Sequence, residues 1–120
     1  MSELNEDQVR MIVLNAGCHV EAADGTFLGK LASKYNQESI SNDYGQYGSK
    51  YAQTSMFNEY SPFGSAYSQT GAFNKYAQEP PRIVLDGKLL AYVTVNEFKT
   101  PRIDPQVLRR ITLEVHDGGQ

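Results

Sequence analysis

At 120 residues with a formal net charge of −3, the chain is long enough to bury a modest core as one domain without disulfides or a structural metal. Residues 1–33 carry five acidic and two basic side chains, residues 34–81 four and three, and residues 82–120 five and six, so no segment has the basic stripe of a phosphate-neutralising nucleic-acid binder. A single cysteine, Cys18, excludes an internal disulfide framework, and no apolar run, Met11 to Leu14 included, is long enough to cross a bilayer.

The N-terminal run Met1-Ser2-Glu3-Leu4-Asn5-Glu6-Asp7 is acidic where a signal peptide is basic and then apolar. A cytoplasmic location is therefore the default, and a secreted one applies if the chain is a trimmed mature form. Asn5 is placed to cap a short helix in which Val9, Ile12, Val13 and Ala16 fall at helical spacing, with Gly17 as the residue just past its end. Asp24-Gly25, between Val20-Glu21-Ala22 and Thr26-Phe27-Leu28, reads as the tight turn of a β-hairpin.

Residues 34–81 are three tandem, gapless copies of a 16-residue unit: 34–49, 50–65 and 66–81. Four positions are identical in all three copies. They are a first tyrosine (Tyr35, Tyr51, Tyr67), a glutamine (Gln37, Gln53, Gln69), an asparagine (Asn42, Asn58, Asn74) and a second tyrosine (Tyr44, Tyr60, Tyr76). Four residue types kept in phase over three periods point to duplication of one structural unit and away from a low-complexity linker.

The second hairpin has Asp86-Gly87 between Ile83-Val84-Leu85 and Leu89-Leu90-Ala91-Tyr92-Val93-Thr94-Val95, the strongest strand signal in the chain. Asp104 followed by Pro105 reads as the N-cap and first residue of a closing helix with apolar positions Val107, Leu108 and Ile111. His116 falls in what reads as a polar tail ending Asp117-Gly118-Gly119-Gln120. Arg102, Arg109 and Arg110 read as ordinary solvated or helix-end charges.

The repeat contains no Leu and no Val, so tyrosine, phenylalanine, Met56 and Ile40 must supply its apolar area, predicting an aromatic core with hydroxyls directed outward. Asn42, Asn58 and Asn74 are expected to fix turns or form an amide ladder, because a short amide bonds nearby backbone. Gly45, Gly48 and Gly64 are expected to allow positive φ or close approach of backbone. A 16-residue unit is too short for a helix-turn-helix repeat and suits a coil of turns and short strands, for which the hairpins on either side would be caps. The predicted fold is thus α+β and mainly β. It is a single domain over 1–120, in which 1–33 holds a helix and a capping hairpin, 34–81 a small solenoid-like stack of turn-rich repeats, and 82–120 a hairpin and helix.

Several stretches together resemble an uncharacterised family of small bacterial proteins. They are Phe27-Leu28-Gly29, Asn42-Asp43-Tyr44-Gly45-Gln46-Tyr47-Gly48-Ser49-Lys50-Tyr51, Glu79-Pro80-Pro81 and Ala91-Tyr92-Val93-Thr94-Val95-Asn96. That family is built on tandem Ser-Ile-x-Asn-x-Tyr-Gly-x-Tyr-Gly-Ser-Lys-Tyr repeats, and the resemblance covers about residues 27–98. It implies a shared fold and brings no activity and no catalytic residue. Lys30 and Ser33 stand where the family pattern has a cysteine pair, so no redox or metal role follows from it.

Catalytic chemistry finds little support. Cys18 and His19 are adjacent, which on a strand turns them to opposite faces, and neither His19 nor His116 sits in a metal-ligand spacing. Asp43, Glu59 and Lys75 share one repeat position, and a position that accepts either charge is expected to face solvent rather than serve as acid or base. Seven tyrosines within 48 residues, beside repeated Gln and Asn, instead suit a binding surface for a protein or glycan partner. The candidate binding residues are Tyr44, Tyr60, Tyr76, Asn42, Asn58 and Asn74, with no catalytic residue, metal, cofactor, nucleic acid or membrane. A small enzyme or accessory subunit, and self-assembly through an open repeat or sheet edge, are the competing readings.

Overall fold

The fold was examined in a computed structural model, which describes residues 3–118. Residues 1, 2, 119 and 120, which belong to the N-terminal run and the C-terminal tail read above, lie outside the described residues. It is a small α+β domain with two helices and one open five-stranded mixed sheet, in the order α1 (Glu6–Leu14), β1 (His19–Glu21), β2 (Phe27–Lys30), β3 (Arg82–Leu85), β4 (Lys88–Val93), β5 (Arg102–Ile103) and α2 (Pro105–Asp117).

Local chemistry accounts for most of the elements. Asn5 and Gln8 form a capping box, each side chain meeting the other's backbone N–H at 2.9 Å. α1 buries Val9 and Val13 and stops at Leu14, with Asn15 as an extended C-cap. Gly17 is therefore not the terminating residue expected. It lies beside β3, where a Cβ would come 2.9 Å from the Leu85 side chain. In the first hairpin the Asp24 carboxylate accepts from the N–H and hydroxyl of Thr26 and Gly25 has φ +92°. In the second, Asp86 and Gly87 both adopt positive φ, the turn whose twist matches that of paired strands.

The two hairpins do not cap opposite ends of the repeat. β1 pairs antiparallel with β3, so the strand order is β2-β1-β3-β4-β5 and both hairpins join one sheet. β5, which has no strong strand signal in the sequence, adds in parallel to β4 through Tyr92↔Arg102 and Val93↔Ile103. Across the sheet Val20, Ile83 and Ala91 are register partners and, with Val93 and Ile103, are buried. α2 covers this core with Leu108 and Ile111 and runs to Asp117, with left-handed Gly118 as its cap, so His116 is helical rather than part of a polar tail.

The repeat segment starts at one edge of the sheet and ends on the other side of it. In its first copy, the Lys30 N–H donates to Glu38 O and the Ile40 N–H to Lys30 O, beside the β2 edge. In its third, Ala72 O accepts from the Val95 N–H just past β4. Ile40, Met56 and Ala72 occupy the same place in the three copies, and all three are fully buried in the common core. Phe57, Phe63 and Phe73 pack, partly buried, against the same core, so the expected burial by Ile40, Met56 and phenylalanine is found, whereas the tyrosines at the two identical tyrosine positions lie outside the core and correct the expectation that they would fill it.

α2 is tied to the same segment. Its Asp117 carboxylate accepts from the Ser33 hydroxyl at 2.7 Å and the Lys34 N–H at 2.8 Å. Arg109 pairs with Asp43, donates to Gly48 O and lies 4.8 Å from the centre of the Phe57 ring. Arg110 bridges Glu6 and Glu114, and Arg102 reaches Glu3 at 3.4 Å, so these three arginines are partnered rather than simply solvated.

Candidate binding face

The repeat advances by short turns. Asn58, Ser61 and Gly64 each donate their N–H to the carbonyl three residues earlier, as do Asn42 and Gly45 in the first copy and Gly71, Asn74 and Ala77 in the third. Except in the turn that opens at Gly71, a Ser or Asn side chain at the first position accepts from the N–H two residues on, the Asx- and ST-turn arrangement. Ser and Asn recur along this segment because most of its turns are capped in this way, and the fully buried apolar side chains Ile40, Met56 and Ala72 fall on the inward steps.

The asparagines do more than cap. Asn42, Asn58 and Asn74 each accept from the N–H of Tyr44, Tyr60 and Tyr76 at 2.9 Å. Each also donates from Nδ2 to the carbonyl six residues earlier, Asn36, Ala52 and Ser68, at 3.2, 2.9 and 2.8 Å. Each amide thus clamps two steps of turn together. Asn96, outside the three copies, does the same, accepting from Phe98 N–H at 2.9 Å and donating to Ala77 O at 2.8 Å. The sequence signal for it is visible in hindsight: Asn96-Glu97-Phe98 matches Asn58-Glu59-Tyr60 with one aromatic exchanged.

Gly48 and Gly64 occupy equivalent places, and neither has positive φ. They serve close approach: a Cβ at either would sit 2.2 Å from the carbonyl of Asn42 or Asn58 and 2.7 Å from that of Ile40 or Met56. Neighbouring copies also meet alike, the Thr54 hydroxyl donating to Gln46 O at 2.9 Å and the Thr70 hydroxyl to Pro62 O at 2.7 Å.

This scaffold presents tyrosine. Tyr35, Tyr44, Tyr51, Tyr60, Tyr67 and Tyr76 are between 63% and 97% exposed, and Phe98 is 88% exposed. The N–H of every one of these tyrosines is held by a cap two residues earlier: Ser33, Ser49 and Ser65 for the first tyrosine of each copy, Asn42, Asn58 and Asn74 for the second. Tyr47 is the partly buried tyrosine of the segment, its ring edge-on to Phe27 at 5.1 Å. Asp43, Glu59 and Lys75 are all exposed.

Two concavities open on this surface. One, of about 810 Å³, lies where the third copy meets the Asn96 turn and is lined by Tyr67, Gln69, Phe73, Asn74, Lys75, Tyr76, Val95, Glu97 and Phe98, among others. The other, of about 470 Å³, lies in the first copy between Gln37, Glu38, Asn42, Tyr44, Gly45, Gln46 and Tyr47. Both contain the glutamine, asparagine and second tyrosine of the repeat. Tyr60 and Asn58 line neither.

Elsewhere Cys18 is buried and its thiol pKa is raised, by burial first and by Asp86 second. His19 is hydrogen-bonded to Glu21 at 2.6 Å. Among the described residues no three His, Cys, Asp or Glu side chains come together to hold a metal ion, and no helix is long and apolar enough to cross a membrane. No family model matches this sequence, and no curated protein and no solved structure is similar enough to it to match.

Proposed function

We propose that this protein is a non-catalytic interaction module whose repeat face binds a protein or glycan partner. One observation carries the reading: the tyrosines at two repeat positions are exposed in all three copies, while their backbones are individually pinned by Ser or Asn caps. Exposed rings contribute little to a monomer's stability, whereas rigidly mounted tyrosines give a partner large contact area at low entropic cost. Tyr44, Tyr60 and Tyr76 are the contact residues and Asn42, Asn58 and Asn74 position them.

The repeat face is favoured over a sheet edge. At β2 the backbone of Lys30 is already bridged to Ser39, and at β5 that of Arg102 to Glu3. Regular presentation of equivalent rings by three copies would give a row of the kind that a small solenoid-like stack provides.

The test compares the native chain with a Tyr44→Ala, Tyr60→Ala, Tyr76→Ala variant. Binding is read by immobilised chain against host extract and against a glycan array, and folding by circular dichroism. The expected result is lost binding with an unchanged melting temperature. Full retention of binding by the variant would remove the tyrosine face from the function.

A further inference from the structure

The identical glutamines and asparagines of the repeat do different work. Each asparagine amide is consumed by backbone. The Gln37 and Gln53 side chains, by contrast, are exposed and make no hydrogen bond among the described residues, and Gln69 uses only its carbonyl oxygen, which accepts from the Gln78 N–H at 3.0 Å. A residue kept at one position in three copies, facing solvent and giving nothing to the fold in two of them, is placed for a ligand. In the outer two copies it stands in a concavity beside the second tyrosine, Gln37 with Tyr44 and Gln69 with Tyr76.

We infer that these glutamine and tyrosine pairs are repeated subsites for a neutral, linear glycan, a reading that rests on the interaction role proposed above and names its ligand. A primary amide offers donors and an acceptor together, which suits vicinal hydroxyls, and an exposed aromatic face suits the C–H face of a sugar ring. The concavities, about 810 and 470 Å³ and half open to solvent, are of small-ligand size. Charge points the same way. Lys75 and Glu97 bring opposite signs to the larger concavity, and Glu38 in the smaller one is paired with Lys30 at 3.0 Å, so neither selects an ionic ligand.

The experiment titrates the full chain with cello-, chito-, manno- and malto-oligosaccharides of increasing length, by calorimetry or by the intrinsic fluorescence of its tyrosines, which no tryptophan masks. At least one series should bind, more tightly as it lengthens. Gln37→Ala should weaken that binding about five- to tenfold, and Gln37→Ala, Gln53→Ala, Gln69→Ala further, with the melting temperature unchanged in the first and only slightly lowered in the second by loss of the Gln69–Gln78 bond. No binding by any series overturns the inference. If the tyrosine variant still loses a protein partner in that case, the interaction role stands and its ligand is protein. Unchanged affinity in the glutamine variants overturns it too, as does a large fall in their melting temperature, which would assign the glutamines to the fold.

Discussion

Two side chains of the second copy separate the scaffold from the surface it carries. Asn58 is buried and joins Tyr60 N–H to Ala52 O, while Tyr60 itself is exposed. Asn58→Ala leaves the part-buried Tyr60 N–H and Ala52 carbonyl without their amide partner and is expected to cost about 1–2 kcal/mol, read as a melting temperature lower by several degrees. Tyr60→Ala should stay within about 0.5 kcal/mol of the parent in the same measurement. Gly64→Ala places a methyl 2.2 Å from Asn58 O and should cost about 2 kcal/mol or more; a neutral result would show that the turn relaxes freely. These asparagines were legible in the sequence because turn chemistry is local. The exposure of the tyrosines was not, because a ring can fill a core or face water with the same sequence spacing, and Ile40, Met56 and Ala72 had already filled this core.

At the scale of elements, α2 holds the start of the repeat by its last turn and α1 by its middle. The Asp117 pKa is lowered: burial raises it, but the hydrogen bonds from Lys34 N–H and the Ser33 hydroxyl, with the charges of Lys34 and His116, more than offset that. The Glu6 pKa is lowered by its hydrogen bond with Arg110 and by the charges of Arg110 and Arg10. A carboxylate depressed in the folded state stabilises it fully above its unfolded pKa, and that contribution is lost as pH falls through the folded value. Melting temperature should therefore be flat near neutrality and drop below about pH 4, with a shallower drop in Asp117→Asn. An equally steep drop in that variant would place the acid sensitivity elsewhere. Both helices were readable from their N-caps, Asn5 and Asp104 with Pro105, while the Gln8 half of the first cap came from the structure. β5 was not, since two residues carry no periodicity and their pairing with β4 is a long-range contact.

For the molecule as a whole, the number of copies is constrained by the sheet. The repeat leaves from β2 and returns through Pro81 to β3, with only β1 between those strands, and its first and third copies are hydrogen-bonded to Lys30 and Val95 respectively. Removing 50–65 keeps the turn phase but takes Met56 from the core and the ring of Phe57 from Arg109. Such a deletion is expected to abolish cooperative thermal unfolding. A sharp transition near that of the parent would mean that the copies behave as an independent array with free ends.

Both helix N-caps, both Asp-Gly turns, the three copies and the turn-forming role of their asparagines all follow from interactions within a few residues, and the chain's own order specifies them. Which hairpin pairs with which, which position of each copy is buried, and which rings are left in water depend on contacts between distant segments. β1 with β3 and Ile40 with the core of α2 are such contacts, and no local pattern encodes them. The repeated tyrosines could be counted along the chain; that they stand outside the core, mounted on Ser and Asn caps beside exposed glutamines, was decided by the packing of helices, sheet and turns around one small apolar centre.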